Sequence, residues 1–152
     1  MQRKEREIHD KDELEDILKK GEICRLGLCS NNVPYIVPMN YGYSDGTIYF
    51  HSARNGKKIE MIRENNCACF EIEIATEVEK NDKACNWGMK YKSIVGHGEI
   101  EEVHGSSEKI RGLSALMKHY SGMETWTFPE SNIDKVSVLK LRIDTMSGKQ
   151  SG

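Results

Sequence analysis

Apolar positions along this chain change their period several times, and each change marks an element. Asp10 and Glu13 have the spacing of a capping box, after which Leu14, Ile17 and Leu18 recur on one helical face before Gly21. From Ile23 the period drops to two. Cys24, Leu26 and Leu28 alternate with Ile23, Arg25 and Gly27, Ser30-Asn31-Asn32 makes a turn, and Val33 to Tyr43 is again extended. Asp45-Gly46 is a two-residue hairpin signal of type I′, so the strand ending at Tyr43 pairs directly with Thr47–Ser52.

The second half repeats the alternation. Lys57 to Asn65 places Ile59 and Ile62 at helical spacing, and Cys67 to Ile74 is a strand with Ala68, Phe70, Ile72 and Ile74 on one side. Glu77 to Trp87 reads as a polar loop. Tyr91 to Val103 is a long strand whose Gly96 and Gly98 mark a bend, a bulge or a close approach. A third helix starts at Ser106 or Ser107 and carries Ile110, Leu113, Leu116, Met117 and Tyr120 on one face. Lys135 to Ile143 is the last strand, and residues 145–152 read as a flexible tail. The order of helix, three strands, helix, two strands, helix, strand predicts a mainly β fold. Six antiparallel strands with peripheral helices manage their edges best by closing into a barrel.

Composition narrows the picture. A chain of 152 residues fits one domain, with a core spanning roughly residues 6–144. Lys and Arg number 22 against 24 Asp and Glu, which argues against a nucleic-acid binder. No apolar run reaches the ~20 residues of a membrane helix, and the charged N-terminus lacks the centre of a signal peptide, so a cytoplasmic protein is expected. The five cysteines, Cys24, Cys29, Cys67, Cys69 and Cys85, lack matched zinc-knuckle spacing and read as small buried strand side chains; no metal is expected.

Two segments carry candidate chemistry. His51-Ser52-Ala53-Arg54-Asn55-Gly56-Lys57-Lys58 ends a strand in a hydroxyl and runs through a glycine turn into a basic helix start, which suits a phosphate. Upstream, Val37-Pro38-Met39-Asn40-Tyr41 breaks a strand with a proline and places an amide where it could meet a heteroaromatic edge. Taken alone, each is equally readable as a solvated turn or an ordinary bulge.

The joint pattern is more specific. Cys24 to Leu28, Pro34 to Tyr41, Tyr49 to Ala53 with Gly56-Lys57-Lys58, Tyr91 to Gly98 and the Leu113-to-Tyr120 helix together resemble the nitroimidazole-resistance branch of the pyridoxamine-phosphate-oxidase-like flavoproteins, across roughly Arg6 to Ile143. The resemblance implies a six-stranded FMN-binding split barrel that dimerises with FMN at the subunit interface. It places Lys57 and Lys58 on the phosphate with Ser52 and Ala53 beside it, and Val37, Pro38, Met39, Asn40 and Tyr41 along the ring and ribityl chain. Tyr91 and Ser93 are further cofactor contacts. His51 falls at a position near the flavin, where an imidazole suits proton delivery near neutrality. Of the two loop tryptophans, Trp126 rather than Trp87 is expected to cover the flavin or cap the dimer interface.

The C-terminal Lys140-Leu141-Arg142-Ile143-Asp144 lacks the substrate block of true pyridoxamine phosphate oxidases, so pyridoxal phosphate synthesis is not expected. The implied activity is reduction of a small planar acceptor such as a nitroaromatic. The alternatives are a flavin-binding or redox-sensing module without turnover, and a split barrel binding haem or a deazaflavin.

Overall fold

The computed structural model describes residues 3–152. Its elements are β1 (Glu7–Ile8), α1 (Lys11–Lys20), β2 (Cys24–Ser30), β3 (Val33–Met39), β4 (Gly42–Ser44), β5 (Thr47–Ser52), α2 (Lys57–Glu64), β6 (Cys67–Glu79), β7 (Gly88–Glu102), α3 (Ser106–Ser121), α4 (Glu130–Ile133) and β8 (Ser137–Ser151). The strands form an antiparallel sheet in the order β3-β2-β6-β7-β8-β5-β4, with β1 added to β8.

One cluster of buried side chains joins Leu26 and Leu28 of β2, Phe70 and Ile72 of β6, Ile94 and Ile100 of β7, Leu139 and Leu141 of β8, and Ile48 and Phe50 of β5. Strands far apart in the sheet order share this core, so the sheet curls around it as a barrel. Helix α1 closes one side with Leu14, Ile17 and Leu18, and the Asp10 carboxylate caps it by accepting the N–H groups of Asp12 and Glu13 at 2.8 and 3.3 Å. A smaller cluster lies outside the barrel, where Tyr49, Val103 and Val138 pack with Leu113 of α3.

Among the described residues eight strands replace the six expected, and the differences have local causes. The expected second strand is two, because the chain leaves β2 at Met39 and pairs with β5 from Gly42. Residues Asn40 and Tyr41 carry that switch, so the Asp45-Gly46 hairpin joins β4, not β3, to β5. Both turn residues have positive φ, 46° and 78°, as a type I′ turn requires. The two-residue β1 is the eighth strand.

Two loop assignments are corrected. Part of the expected Glu77–Trp87 loop is ribbon, with Glu77, Val78 and Glu79 facing Lys90, Met89 and Gly88 beyond an irregularity after Ile74. It is exposed on both faces, so no apolar alternation announces it. The expected C-terminal tail is strand as far as Ser151, hydrogen-bonded to β7 and β1. Its small polar residues give no periodic signal, yet Gly148 lets Leu14 and Ile8 pack onto it. The cysteines also depart from expectation: Cys24 is buried and Cys69 half-buried, but Cys29, Cys67 and Cys85 are exposed. Cys29 and Cys67 occupy outward-facing positions of β2 and β6, which alternation dictates once the core faces are fixed. No helix among the described residues is long and apolar enough to cross a membrane.

Candidate functional site

Strand β5 ends at Ser52, and four residues separate it from α2. Gly56 precedes the helix with φ 129°, a conformation that side-chain-bearing residues rarely adopt, and no side chain caps the helix start. The first backbone N–H groups of α2 therefore face a cleft of about 260 Å³ lined by Ser52, Ala53, Asn55, Lys57, Lys58 and Tyr35. The Lys57 ammonium lies 4.8 Å over the Tyr35 ring. The Lys58 ammonium is half-buried and has only the Met39 sulfur, a weak acceptor, at 3.2 Å. Burial lowers its pKa from the ordinary lysine value. A partly desolvated ammonium with no carboxylate partner among the described residues, beside uncapped helical N–H groups, fits a bound phosphate.

A second cleft of about 270 Å³ adjoins the other face of β5. Asn40, His51 and Tyr120 supply its polar groups, and Leu113, Leu116, Met117 and Phe128 its apolar walls. Consecutive strand residues face opposite ways, so His51 and Ser52 open onto different clefts. The segment from His51 to Lys58 thus serves two neighbouring sites rather than one. No Asp, Glu, Lys or Arg among the described residues lines the second cleft. The hydroxyl of Tyr120 ties its floor together, accepting from Asn40 Nδ2 at 3.3 Å and donating to the Glu22 carbonyl at 2.6 Å.

The expected cofactor contacts divide accordingly. Ser52, Ala53, Lys57 and Lys58 come together in the first cleft, and Met39 reaches it through Lys58. Val37 packs against the barrel core, whereas Pro38 faces outward and is exposed. Tyr41 departs from expectation: its phenol is fully buried and donates to the Leu18 carbonyl at 2.7 Å, so it offers a ligand no side chain. Burial pushes that phenol well above the ordinary tyrosine range. Trp126 lines neither cleft; its indole N–H donates to Ser121 Oγ at 3.2 Å, and Phe128 supplies the aromatic wall. Tyr91 and Ser93 sit on β7, opposite Ser151 and Glu73, outside both clefts of this chain.

Sequence reasoning assigned no role to Tyr35 in the first cleft or to Phe128 in the second. It counted Leu113, Leu116, Met117 and Tyr120 only as a packing face. The signal was that this face includes a phenol and a flexible thioether, residue types that suit an adaptable wall.

A family model described as pyridoxamine 5′-phosphate oxidase matches residues 10–150. A solved structure from Bacteroides thetaiotaomicron VPI-5482, described as a candidate 5-nitroimidazole antibiotic resistance protein, is 31% identical. It covers 95% of this chain and 86% of its own, with a TM-score of 0.84. A FAD-binding protein from Mesorhizobium loti is 25% identical over 97% of this chain and 98% of its own, with a TM-score of 0.71. A FAD- and haem-binding protein from Mycobacterium smegmatis, 18% identical over 96% of this chain and 73% of its own, shares the fold with a TM-score of 0.83. Among curated proteins, the uncharacterised RA0666 of Rhizobium meliloti (strain 1021) is 28% identical over 115 residues, 73% of this chain and 69% of its own. With the family model matched from Asp10 almost to the C-terminus, the chain belongs to the pyridoxamine 5′-phosphate oxidase family.

Proposed function

We propose that this protein is a cytoplasmic FMN-dependent oxidoreductase that reduces a small, uncharged planar acceptor such as a nitroimidazole. The observation that carries the reading is the half-buried ammonium of Lys58, without an ion-pair partner among the described residues, beside the uncapped start of α2 and next to a cleft that no Asp, Glu, Lys or Arg lines. A cleft of about 260 Å³ accommodates the phosphate group of a flavin. Bound flavin would supply the electron transfer, and the protein binding, orientation and protons.

Lys57, Lys58 and the α2 N–H groups hold the phosphate, with the Ser52 hydroxyl as a further donor. Asn40, fixed by Tyr120, offers its amide to the ring edge. His51 gives a proton to the reduced acceptor, which lies between the imidazole and the apolar wall of α3. That wall bears no Lys or Arg, so a phosphorylated substrate finds no counter-charge there. Pyridoxal phosphate synthesis therefore lies outside the proposed activity. The 31%-identical structure described for nitroimidazole resistance supports the acceptor class, and the FAD-binding relative supports a flavin. The working unit is a homodimer in which Tyr91 and Ser93 come from the second copy, since both lie outside the clefts of their own chain.

The test begins with whatever copurifies. Flavin absorbance together with an FMN mass is expected, and a haem band or a deazaflavin spectrum refutes the cofactor. Charge reversal of Lys57 and Lys58 together should abolish flavin retention while the chain stays folded. A His51→Ala protein should keep its flavin yet lose nitroimidazole reduction by about two orders of magnitude. Wild-type turnover in that variant removes His51 from the chemistry.

A further inference from the structure

A third concavity is broader than either of these clefts. About 660 Å³ lies between α1 and α3 above the β4–β5 hairpin, within the size range of sites for small organic ligands. Helix α3 presents Arg111, Ser114 and Lys118 to it from one face, α1 presents Glu15 and Lys19, and the hairpin presents Asp45. Gly42 lets the hairpin seat against the helix, since a Cβ there would lie 2.4 Å from the backbone of Ala115 and Leu116. The walls are therefore set by packing.

Their charges are balanced, Lys19, Arg111 and Lys118 against Glu15, Asp45 and Glu124. Most are already partnered. Lys19 pairs with Glu15 at 3.2 Å, and Tyr43 donates to the same carboxylate at 3.1 Å; the Lys19 hydrogen bond and then that of Tyr43 hold Glu15 below the usual carboxylate range. Lys118 pairs with Glu124, and the His119 ring nitrogen lies 2.5 Å from the Gly21 carbonyl. Two groups stand apart. Among the described residues, neither Arg111 nor Asp45 has an ion-pair partner, and they are not paired with each other although they line the same space. Asp45 is fixed by its turn, where Gly46 donates to the Tyr43 hydroxyl at 3.2 Å and accepts from Ile143 N at 3.0 Å.

We propose that this cleft binds a small zwitterion, its acidic group on Arg111 and Ser114 and its amine on Asp45. A purely anionic ligand would meet three carboxylates and a purely cationic one three cations. A molecule carrying both signs satisfies the two unpartnered groups and leaves the existing pairs intact. The site is separate from the flavin clefts and does not rest on the flavin reading. It shares only α3, whose Leu113, Leu116 and Met117 face the other way.

The test is isothermal titration of the full-length protein with zwitterions of graded length: γ-aminobutyrate, ε-aminocaproate, glycylglycine and triglycine. Each is paired with its N-acetylated and its C-amidated form. Saturable binding of at least one zwitterion is expected, weakened about tenfold when either end is blocked, as for loss of a hydrogen bond to a charged group. Arg111→Gln and Asp45→Asn should each weaken it by a similar factor while flavin content stays unchanged; asparagine keeps the left-handed turn conformation, so the hairpin survives. Absence of binding by every zwitterion at millimolar concentration overturns the proposal. So does binding that is undiminished in the blocked ligands or in the double variant with native circular dichroism.

Discussion

The hydroxyl of Tyr120 accepts the backbone N–H of Tyr41 at 3.1 Å, linking the last turn of α3 to the point where the chain passes from β3 to β4. The same oxygen accepts from Asn40 and donates to Glu22, so one phenol fixes the strand switch, the candidate ring contact and the residues leading into β2. Replacing Tyr120 by Phe keeps the ring and removes all three bonds. The expected cost is about 1 kcal/mol in urea denaturation, because the hydroxyl is partly solvated. Flavin affinity, read by fluorescence titration, should fall several-fold. Combined with Asn40→Ala the losses should be less than additive, since both variants break the same link; strict additivity would dissociate Tyr120 from Asn40.

Gly98 sits where the β7–β8 register slips, with His97 opposite Thr145 and Gly98 opposite Ile143. A Cβ on it would lie 1.9 Å from the Arg142 carbonyl oxygen, a backbone atom that cannot swing aside. Gly98→Ala should therefore destabilise the protein by about 1–3 kcal/mol, as overpacking does. A melting temperature equal to wild type would show that the bulge relaxes freely.

Gly98 also shows what was legible beforehand. A glycine inside an alternating strand signals a bulge or a close approach, and both are present. The capped start of α1 and the Asp45-Gly46 turn were equally readable, because each depends on residues adjacent in sequence. The division of Val33–Tyr43 was not, since it follows from β2 and β5 lying on different sides of the barrel. For the same reason the place of the Tyr41 side chain is not legible: its sequence neighbours Met39 and Asn40 reach the two clefts, but its phenol enters the core through a bond to Leu18, 23 residues away. His51 and Ser52 were grouped by adjacency, whereas the pleat separates them. The walls come from Leu113, Leu116, Met117 and Tyr120 of α3 and from Phe128 beyond its end, all far downstream of β5, and local patterns could register the helical ones only as an apolar face.

On the outer face of β2 and β6, Arg25 bridges Glu71 at 3.1 Å and Glu73 at 3.0 Å. Burial, reinforced by Glu73, outweighs the guanidinium and raises the Glu71 pKa to about 6. A raised carboxyl pKa means that the folded state keeps a proton between pH 4.5 and 6 that the unfolded chain has released. Stability from this group thus falls as pH rises through that window, and the cost is complete above pH 6. The shift amounts to at most about 2 kcal/mol, and solvent at a side chain still 29% exposed reduces it to about 1 kcal/mol. Glu71→Gln should gain that amount at pH 7 and show no gain at pH 4. An equal difference at both pH values would assign the effect to packing.

Lys58 separates stability from function. Its ammonium is half-buried against Met39 without an anionic partner, so the folded chain gains little from its charge. Lys58→Met should leave the flavin-free protein as stable as wild type or more so, yet weaken FMN binding at least tenfold through loss of a charge-assisted contact. Loss of stability without loss of flavin would mean that the ammonium serves the fold alone.

Met117 tests the division of labour between the two clefts. It is half-buried on α3, lines the His51 cleft and takes no part in the Lys58 cleft, so its bulk should affect the acceptor and not the phosphate. Met117→Trp would fill part of a 270 Å³ space with a rigid ring while keeping the apolar character of the wall. The expected outcome is unchanged flavin content, a KM for a nitroimidazole raised about tenfold or more, and little change in kcat for a one-electron acceptor small enough to reach the flavin without entering the cleft. The ratio of the two activities is the informative quantity, because a general loss of folding would lower both. If bulk at Met117 leaves the nitroimidazole KM unaltered, the acceptor does not bind beneath α3, and the exposed side of the flavin must lie against a second copy of the chain.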